Sequence, residues 1–147
     1  MNFKTVGEIL RLVVGWENDL DGLYALSEDY LNNGKSRIVA KALHKRHKNI
    51  LEKIMSIKIG DYKNTEFIKN PPLSVWDEKL SVSAQASVEQ YFSEMLGFEE
   101  KLLEYYKHVR DVCVYEKSRD VFDVLINLKK SQVKEIKGLM DSFDLAV

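Results

Sequence analysis

Cysteine and proline are scarce in this chain, and their scarcity limits which kinds of site it can build. Cys113 is the only cysteine among 147 residues, so an intramolecular disulfide and a CxxC metal site are both excluded. A single free thiol also favours a reducing compartment. The only two prolines, Pro71 and Pro72, stand side by side, within a stretch that lacks helical periodicity. Long regular segments on either side of that stretch are therefore possible.

Excess charge and long apolar runs are also missing. Lysine and arginine total 22 against 23 acidic residues, a net charge of -1, which gives no general attraction to nucleic acid or to a membrane. No apolar run approaches the roughly 20 residues that span a bilayer, and the first residues do not resemble a signal peptide. With 45% hydrophobic residues, the sequence predicts one soluble cytoplasmic domain over 1–147, with neither nucleic acid nor a membrane as partner.

Apolar residues instead recur at steps of three and four, which is the period of an amphipathic helix. This pattern predicts four helices, over 6–31, 36–57, 87–112 and 119–143. Thr5 with Glu8, and Ser87 with Gln90, match the capping box that starts a helix. We expect Ser36 and Ser118 to cap the other two helices. The fold class predicted is all-α.

The segment 59–86 loses this period, and a connection of that length suits a crossover between two parallel helices. A short helix near 76–80 is possible within it. We expect Phe67, Trp76 and Leu80 to cover one side or one end of a four-helix bundle.

Two glutamates interrupt the apolar stripes where burial would be costly. Glu17 stands between Val13 and Leu20, and Glu99 holds the same place in the third helix. Each is followed seven residues later by a tyrosine, Tyr24 or Tyr106 respectively, whose hydroxyl can bond to an inner carboxylate. A buried carboxylate costs several kcal/mol unless it meets a cation, a proton or hydrogen-bond donors. Two such positions predict a shared polar site.

The other two helices carry polar pairs on their inward faces. His44 and His47 lie three positions apart, and so do Gln132 and Glu135, so each pair points to one side of its helix. If the helices pack in register, these four side chains converge with both glutamates.

Four successive helices carry, in turn, a glutamate, a polar pair, a second glutamate and a second polar pair. This order resembles the ligand set of the ferritin-like di-iron proteins. The tyrosine spacings and the long crossover are similar to the rubrerythrin branch, although one cysteine cannot build the four-cysteine rubredoxin domain of rubrerythrins proper. The resemblance implies a bundle that binds one or two iron, manganese or zinc ions and acts as a metal-dependent oxidoreductase or metal-handling protein. The partner we expect is a second copy of the chain, in a homodimer. The metal ligands implied are Glu17, His44, His47, Glu99 and Glu135, with Gln132, Tyr24 and Tyr106 around them.

The chain departs from the family pattern where the metals would be bridged. His44 and Gln132 stand at the positions of the two bridging carboxylates, and Glu135 replaces the second histidine. An amide binds metal poorly, and an imidazole nitrogen binds one metal only. One metal ion on two imidazoles and a carboxylate is the simpler site.

Three alternatives need no metal. The glutamates could lie at the edge of tilted stripes and reach solvent. The HxxH pair could belong to a solvated basic face, since it stands among lysines. A protonated histidine could instead neutralise a buried glutamate, which would leave a metal-free bundle that serves as a structural or interaction module.

Overall fold

The computed structural model describes residues 3–62, 66–70 and 81–145, with side chains described as far as residue 142. Within these residues the chain forms four long helices, which we label α1 (Val6–Tyr30), α2 (Gly34–Met55), α3 (Val88–Val112) and α4 (Glu116–Leu145). A single 3-10 turn, Ile59–Tyr62, follows α2, and two three-residue strands are present, β1 (Phe3–Thr5) and β2 (Phe67–Lys69). The described residues are mostly helical and add one small two-stranded sheet, so the all-α prediction is confirmed apart from that sheet.

Two of the four predicted helix starts are confirmed. Thr5 and Ser87 each accept a hydrogen bond from the backbone three residues on, and Glu8 and Gln90 bond back to the cap residue. These reciprocal bonds satisfy backbone donors that the first turn leaves free.

The other two predicted caps are wrong. Asn33 caps α2, because its side-chain oxygen accepts from the backbone amides of Lys35 and Ser36, so the helix begins at Gly34. Ser36 lies buried in the first turn, where its hydroxyl donates to the carbonyl of Ala86 at 3.2 Å. α4 begins at Glu116, and Ser118 is also inside the helix and buried.

The helices pair as two antiparallel hairpins, α1 with α2 and α3 with α4, each closed by a three-residue connection. Contacts between α1 and α3 run in opposite order, since Tyr24 bonds to Glu99 and Tyr106 bonds to Glu17. α1 and α3 are therefore antiparallel, and α2 and α3 run the same way. The described residues on the two sides of the gap at 71–80 lie at opposite ends of the helices, since Glu66 bonds to Val6 at the start of α1 and Ala84 bonds to Asn32 just beyond its end.

The two-stranded sheet was not predicted. β1 pairs antiparallel with β2, with Lys4 opposite Ile68, and Ile68 turns into the core. Phe67 faces the other way and is 72% exposed, so the prediction that it covers the bundle is wrong. Trp76, Leu80 and the short helix predicted near them lie outside the described residues.

The core is built from the predicted stripes. Every position of the α1 and α3 stripes is buried, including both glutamates. Among the described residues, none of the helices has the length and apolar character that a bilayer span requires.

Candidate functional site: a buried charge cluster

Glu17 and Glu99 lie fully buried on α1 and α3, so the alternative in which they reach solvent is wrong. Between them lies a residue that the sequence did not single out. The Nζ atom of Lys129, on α4, is 2.6 Å from Oε1 of Glu17 and 2.8 Å from Oε2 of Glu99. All three side chains have no solvent exposure. One ammonium group thus bridges the two carboxylates that the resemblance assigned to a metal.

His47 supplies a second cation to the cluster from α2. Its Nε2 lies 2.9 Å from Oε1 of Glu17, and its Nδ1 lies 2.9 Å from Oδ1 of Asp21. Because both ring nitrogens face carboxylate oxygens, both are placed to donate, which only the protonated ring can do. Burial alone would lower the pKa of His47, but the hydrogen bonds to Asp21 and Glu17 raise it above its usual value. The predicted histidine–glutamate pairing is therefore present.

These two cations set the protonation of Glu17. Burial alone would raise the pKa of this carboxyl group, but the Lys129 ammonium and His47 lower it to about 2. Burial would likewise lower the pKa of Lys129, and the two glutamates raise it above its usual value. The centre therefore holds the two glutamate carboxylates against an ammonium and an imidazolium, and the Asp21 carboxylate adds a third negative charge on the outer side of His47. Glu17, His47, Glu99 and Lys129 each come from a different helix.

The two tyrosines complete the cluster in a crossed arrangement. The Tyr24 hydroxyl donates to Oε1 of Glu99 at 3.2 Å, and the Tyr106 hydroxyl donates to Oε2 of Glu17 at 2.7 Å. Each tyrosine thus serves the glutamate of the other hairpin. Burial and the adjacent carboxylates raise the pKa of both hydroxyls well above the usual value, so both stay protonated. All four oxygens of the two buried glutamates now have a donor.

Gln132 lies beside this cluster and is buried. Its side-chain amide donates to the Tyr24 hydroxyl at 3.2 Å and to the Leu43 carbonyl at 3.4 Å. Gln132 therefore contacts the cluster through the Tyr24 hydroxyl, and these hydrogen bonds do not reach either glutamate.

His44 does not join the centre. Its two nitrogens lie 3.2 Å from Asp21 and 2.8 Å from Glu28, and its side chain is 15% exposed. A chain of alternating acidic and basic groups therefore leads outward from Glu17 through His47, Asp21 and His44 to Glu28. The histidine pair belongs to this hydrogen-bonded chain rather than to a solvated basic face.

Glu135 does not face the inner layer, and that prediction is wrong. Its side chain is 40% exposed and forms a long ion pair, at 3.9 Å, with Arg46 of α2. Three residues advance a helix by 300° rather than a full turn. Gln132 lies near the edge of the buried face of α4. Glu135 is rotated from it by about 60° around the helix axis, which places Glu135 outside that face.

Lys129 was missed because lysine is among the residue types least often buried, and because Lys130 follows it. One sequence signal could have identified it. Lys129 falls four positions after Leu125 and three before Gln132, so it occupies an inward position of the α4 stripe.

The two hairpins correspond position by position. Glu99 follows Glu17 by 82 positions, and Tyr106 follows Tyr24 by the same interval. The starts of α3 and α4 follow those of α1 and α2 by that interval as well. The sequence Lys-Ser-Arg at 35–37 recurs at 117–119. The crossed tyrosine bonds are the pattern expected across a two-fold axis, where each side makes the same contact with the other.

The residues do not fit the metal centre that the resemblance implies. A metal shared by Glu17 and Glu99 would need the place that the Lys129 ammonium holds. Both nitrogens of His47 already face carboxylates, and Glu135 is turned away. Within residues 3–62, 66–70 and 81–142, no group of three or more histidine, cysteine, aspartate or glutamate side chains is arranged to hold a metal ion.

Comparisons with protein-family models, with curated protein sequences and with solved structures each found no match. The family resemblance therefore depends on the residue pattern alone.

Proposed function

We propose that this protein is a metal-free helical bundle of ferritin-like layout that serves as a structural or interaction module. The observation that carries the proposal is the position of Lys129, whose ammonium contacts both Glu17 and Glu99. The charge that two buried carboxylates require is thus supplied by the chain itself, from Lys129 and His47. This is the metal-free alternative that the sequence left open.

The arrangement also argues against redox chemistry at the cluster. Every oxygen of Glu17 and Glu99 already accepts a hydrogen bond, and the Lys129 ammonium fills the space between the two carboxylates where a shared metal ion would lie. Tyr24 and Tyr106 are committed as donors to those oxygens.

The cluster is well placed to fix how the four helices align. It joins one side chain from each helix, and a slip of any helix by one turn would leave a buried charge without its partner. A broken buried ion pair costs about 3–5 kcal/mol. Buried polar groups can specify register in this way even where they add little stability.

For the partner we propose a second copy of the chain. Phe3 and Phe67 lie on the same outward face of the small sheet, and both are more than half exposed. The Glu66 carboxylate accepts hydrogen bonds from the backbone amides of Val114 and Tyr115, which brings two further exposed apolar side chains to this end. A group of exposed apolar side chains at one end of a molecule is a candidate interaction site.

Metal analysis tests the metal-free proposal. Purified protein would be analysed for iron, manganese and zinc, then titrated with each divalent ion under anaerobic conditions. We expect far less than one equivalent bound and no change in Tm. One or two equivalents of tightly bound metal, lost in the E17Q/E99Q variant, would overturn the proposal.

Light scattering after size-exclusion chromatography tests the dimer. We expect a dimer for the wild-type chain and a monomer for Phe67→Ser. Leu26→Ser is the matched control, since Leu26 is 62% exposed but lies on α1 away from the sheet, and it should stay dimeric. A monomeric wild-type protein at all concentrations would refute this choice of partner.

A further inference from the structure

A continuous chain of hydrogen bonds leads from the buried cluster to the protein surface. The ring of His47 joins Glu17 to Asp21, at 2.9 Å on each side. The ring of His44 then lies 3.2 Å from Asp21 and 2.8 Å from Glu28. Exposure of the side chains rises along the chain, from 0% for His47 to 17% for Asp21 and 30% for Glu28. One end of the chain therefore lies in the core and the other reaches solvent.

The second hairpin is closed without such a chain. The positions 82 residues after Asp21 and His44 hold Leu103 and Ile126, and both of these side chains are buried. An apolar pair thus fills the seam between α3 and α4 at the place where a polar pair lies between α1 and α2. Because the same hairpin closes with apolar residues, packing alone does not require Asp21 and His44 to be polar.

We propose that the chain from His47 to Glu28 is a proton path, along which the buried cluster exchanges protons with solvent while the bundle stays folded. The inference goes beyond the proposed function. It concerns contacts within a single chain, so it does not depend on the proposed dimer.

Each member of the path can both accept and release a proton. The protonated ring of His47 gives the proton on Nδ1 to Oδ1 of Asp21, and it keeps the proton on Nε2, which faces Glu17. The carboxyl group of Asp21 turns and passes the proton to Nε2 of a neutral His44 ring. His44 then releases the proton on its Nδ1 to Glu28, which loses it to water. A proton that returns by the same steps restores the charge of His47.

The other hydrogen bonds of the cluster provide no second route among the residues that the structure describes. The Tyr106 hydroxyl ends at Glu17, and Lys129 bonds to the two buried glutamates. The Tyr24 hydroxyl accepts from the amide of Gln132, and an amide has fixed donors and a fixed acceptor, so it does not pass protons on. The route through Asp21 is the one that these contacts support.

Nitrogen NMR of the histidine rings tests the path in the D21N variant. Asparagine keeps the shape of the side chain but cannot accept the proton of His47. Removal of a positioned proton acceptor should slow exchange of the Nδ1 proton with water by at least about tenfold, at an acidic pH where the nitrogen shifts show a protonated ring. Asp19→Asn, at an exposed position on the same helix, is the matched control and should leave the rate unchanged.

The direction of the effect separates the path from a weaker fold. A less stable bundle opens more often and exchanges its buried protons faster, whereas loss of the path slows the exchange. If D21N does not fold, His44→Ile provides the second test, since the second hairpin carries isoleucine at the equivalent position. We expect slower exchange in that variant as well. An unchanged or faster rate in a folded variant of Asp21 or His44, or equal slowing in D19N, would overturn the inference.

Discussion

Lys129 and Glu17 form an ion pair in which Nζ lies 2.6 Å from Oε1 and neither side chain is exposed to solvent. The two residues are 112 positions apart in the chain. Lys129 lies near the centre of α4, and Glu17 lies near the centre of α1. The pair therefore links the two hairpins. Because Lys129 also reaches Glu99, its removal affects both carboxylates at once.

The first prediction concerns Lys129 itself. The K129M variant keeps the volume of the side chain but leaves Glu17 and Glu99 with too little positive charge, so we expect the free energy of unfolding to fall by about 3–5 kcal/mol. Urea denaturation would measure it. Lys130→Met at the exposed neighbouring position should change it by less than about 0.5 kcal/mol. The K129M/E17Q/E99Q variant should recover much of the loss, and no recovery would contradict the charge argument.

The second prediction concerns the crossed tyrosines. Tyr106→Phe removes the donor to Glu17, and Tyr24→Phe removes the donor to Glu99. Each should cost about 1.5–3 kcal/mol, as expected for a buried hydrogen bond to a charged group. Tyr115→Phe, at an exposed position, is the control and should be neutral. Thermal denaturation of the four proteins would measure these costs, and equal stability throughout would show that the hydroxyls contribute nothing.

The third prediction separates Glu99 from Glu135. Glu99→Gln weakens a fully buried pair and should destabilise by about 3 kcal/mol or more. Glu135→Gln removes a half-exposed contact at 3.9 Å and should cost less than about 0.5 kcal/mol. Comparable losses measured by urea denaturation would mean that Glu135 lies in the core after all.

The fourth prediction is a stability maximum in mildly acidic solution. The pKa of Glu17 falls from 4.5 to about 2 on folding, so its contribution is present above pH 4.5 and is lost as the pH falls toward 2. The pKa of His47 rises above 6.5 on folding, so its contribution is present below pH 6.5 and is lost as the pH rises through the folded-state value. The free energy of unfolding should therefore peak between these limits.

Denaturation across a pH series would check this profile, with His47→Gln as the comparison. That variant should lose the decline on the alkaline side and keep only part of the decline on the acid side, because Lys129 still lowers the pKa of Glu17 whereas His47 no longer lowers that of Asp21. A wild-type profile that is flat through neutral pH would contradict the assignment of a proton to both nitrogens of His47.

The sequence predicted the stripes well because burial imposes a helical period, and Glu17 and Glu99 stand out against apolar neighbours on that period. It also predicted that Tyr24 and Tyr106 bond to the inner carboxylates, since spacing places them on the same faces. It did not predict that each tyrosine serves the other hairpin's glutamate, because that choice depends on how the hairpins pack.

The cation was the main omission. Residue-type statistics place a lysine next to another lysine on the surface, and only the packed helices show that Lys129 points inward. The sheet was missed for a related reason. Strands of three residues, such as β1 and β2, have too few positions to show alternation, and their pairing joins distant parts of the chain. Glu135 was misplaced because a spacing of three residues fixes a helix face only approximately.

The central claim is that the ammonium of Lys129 is the buried cation between the two glutamates, and nitrogen NMR of lysine side chains tests it most directly. Exposed ammonium protons exchange rapidly with water at neutral pH, whereas those on Lys129 should be protected by burial and by the bonds to Glu17 and Glu99. We predict a protected ammonium signal that is absent from K129M and unchanged by added zinc. Absence of any protected signal, or its disappearance when zinc binds to the wild-type protein, would contradict the account.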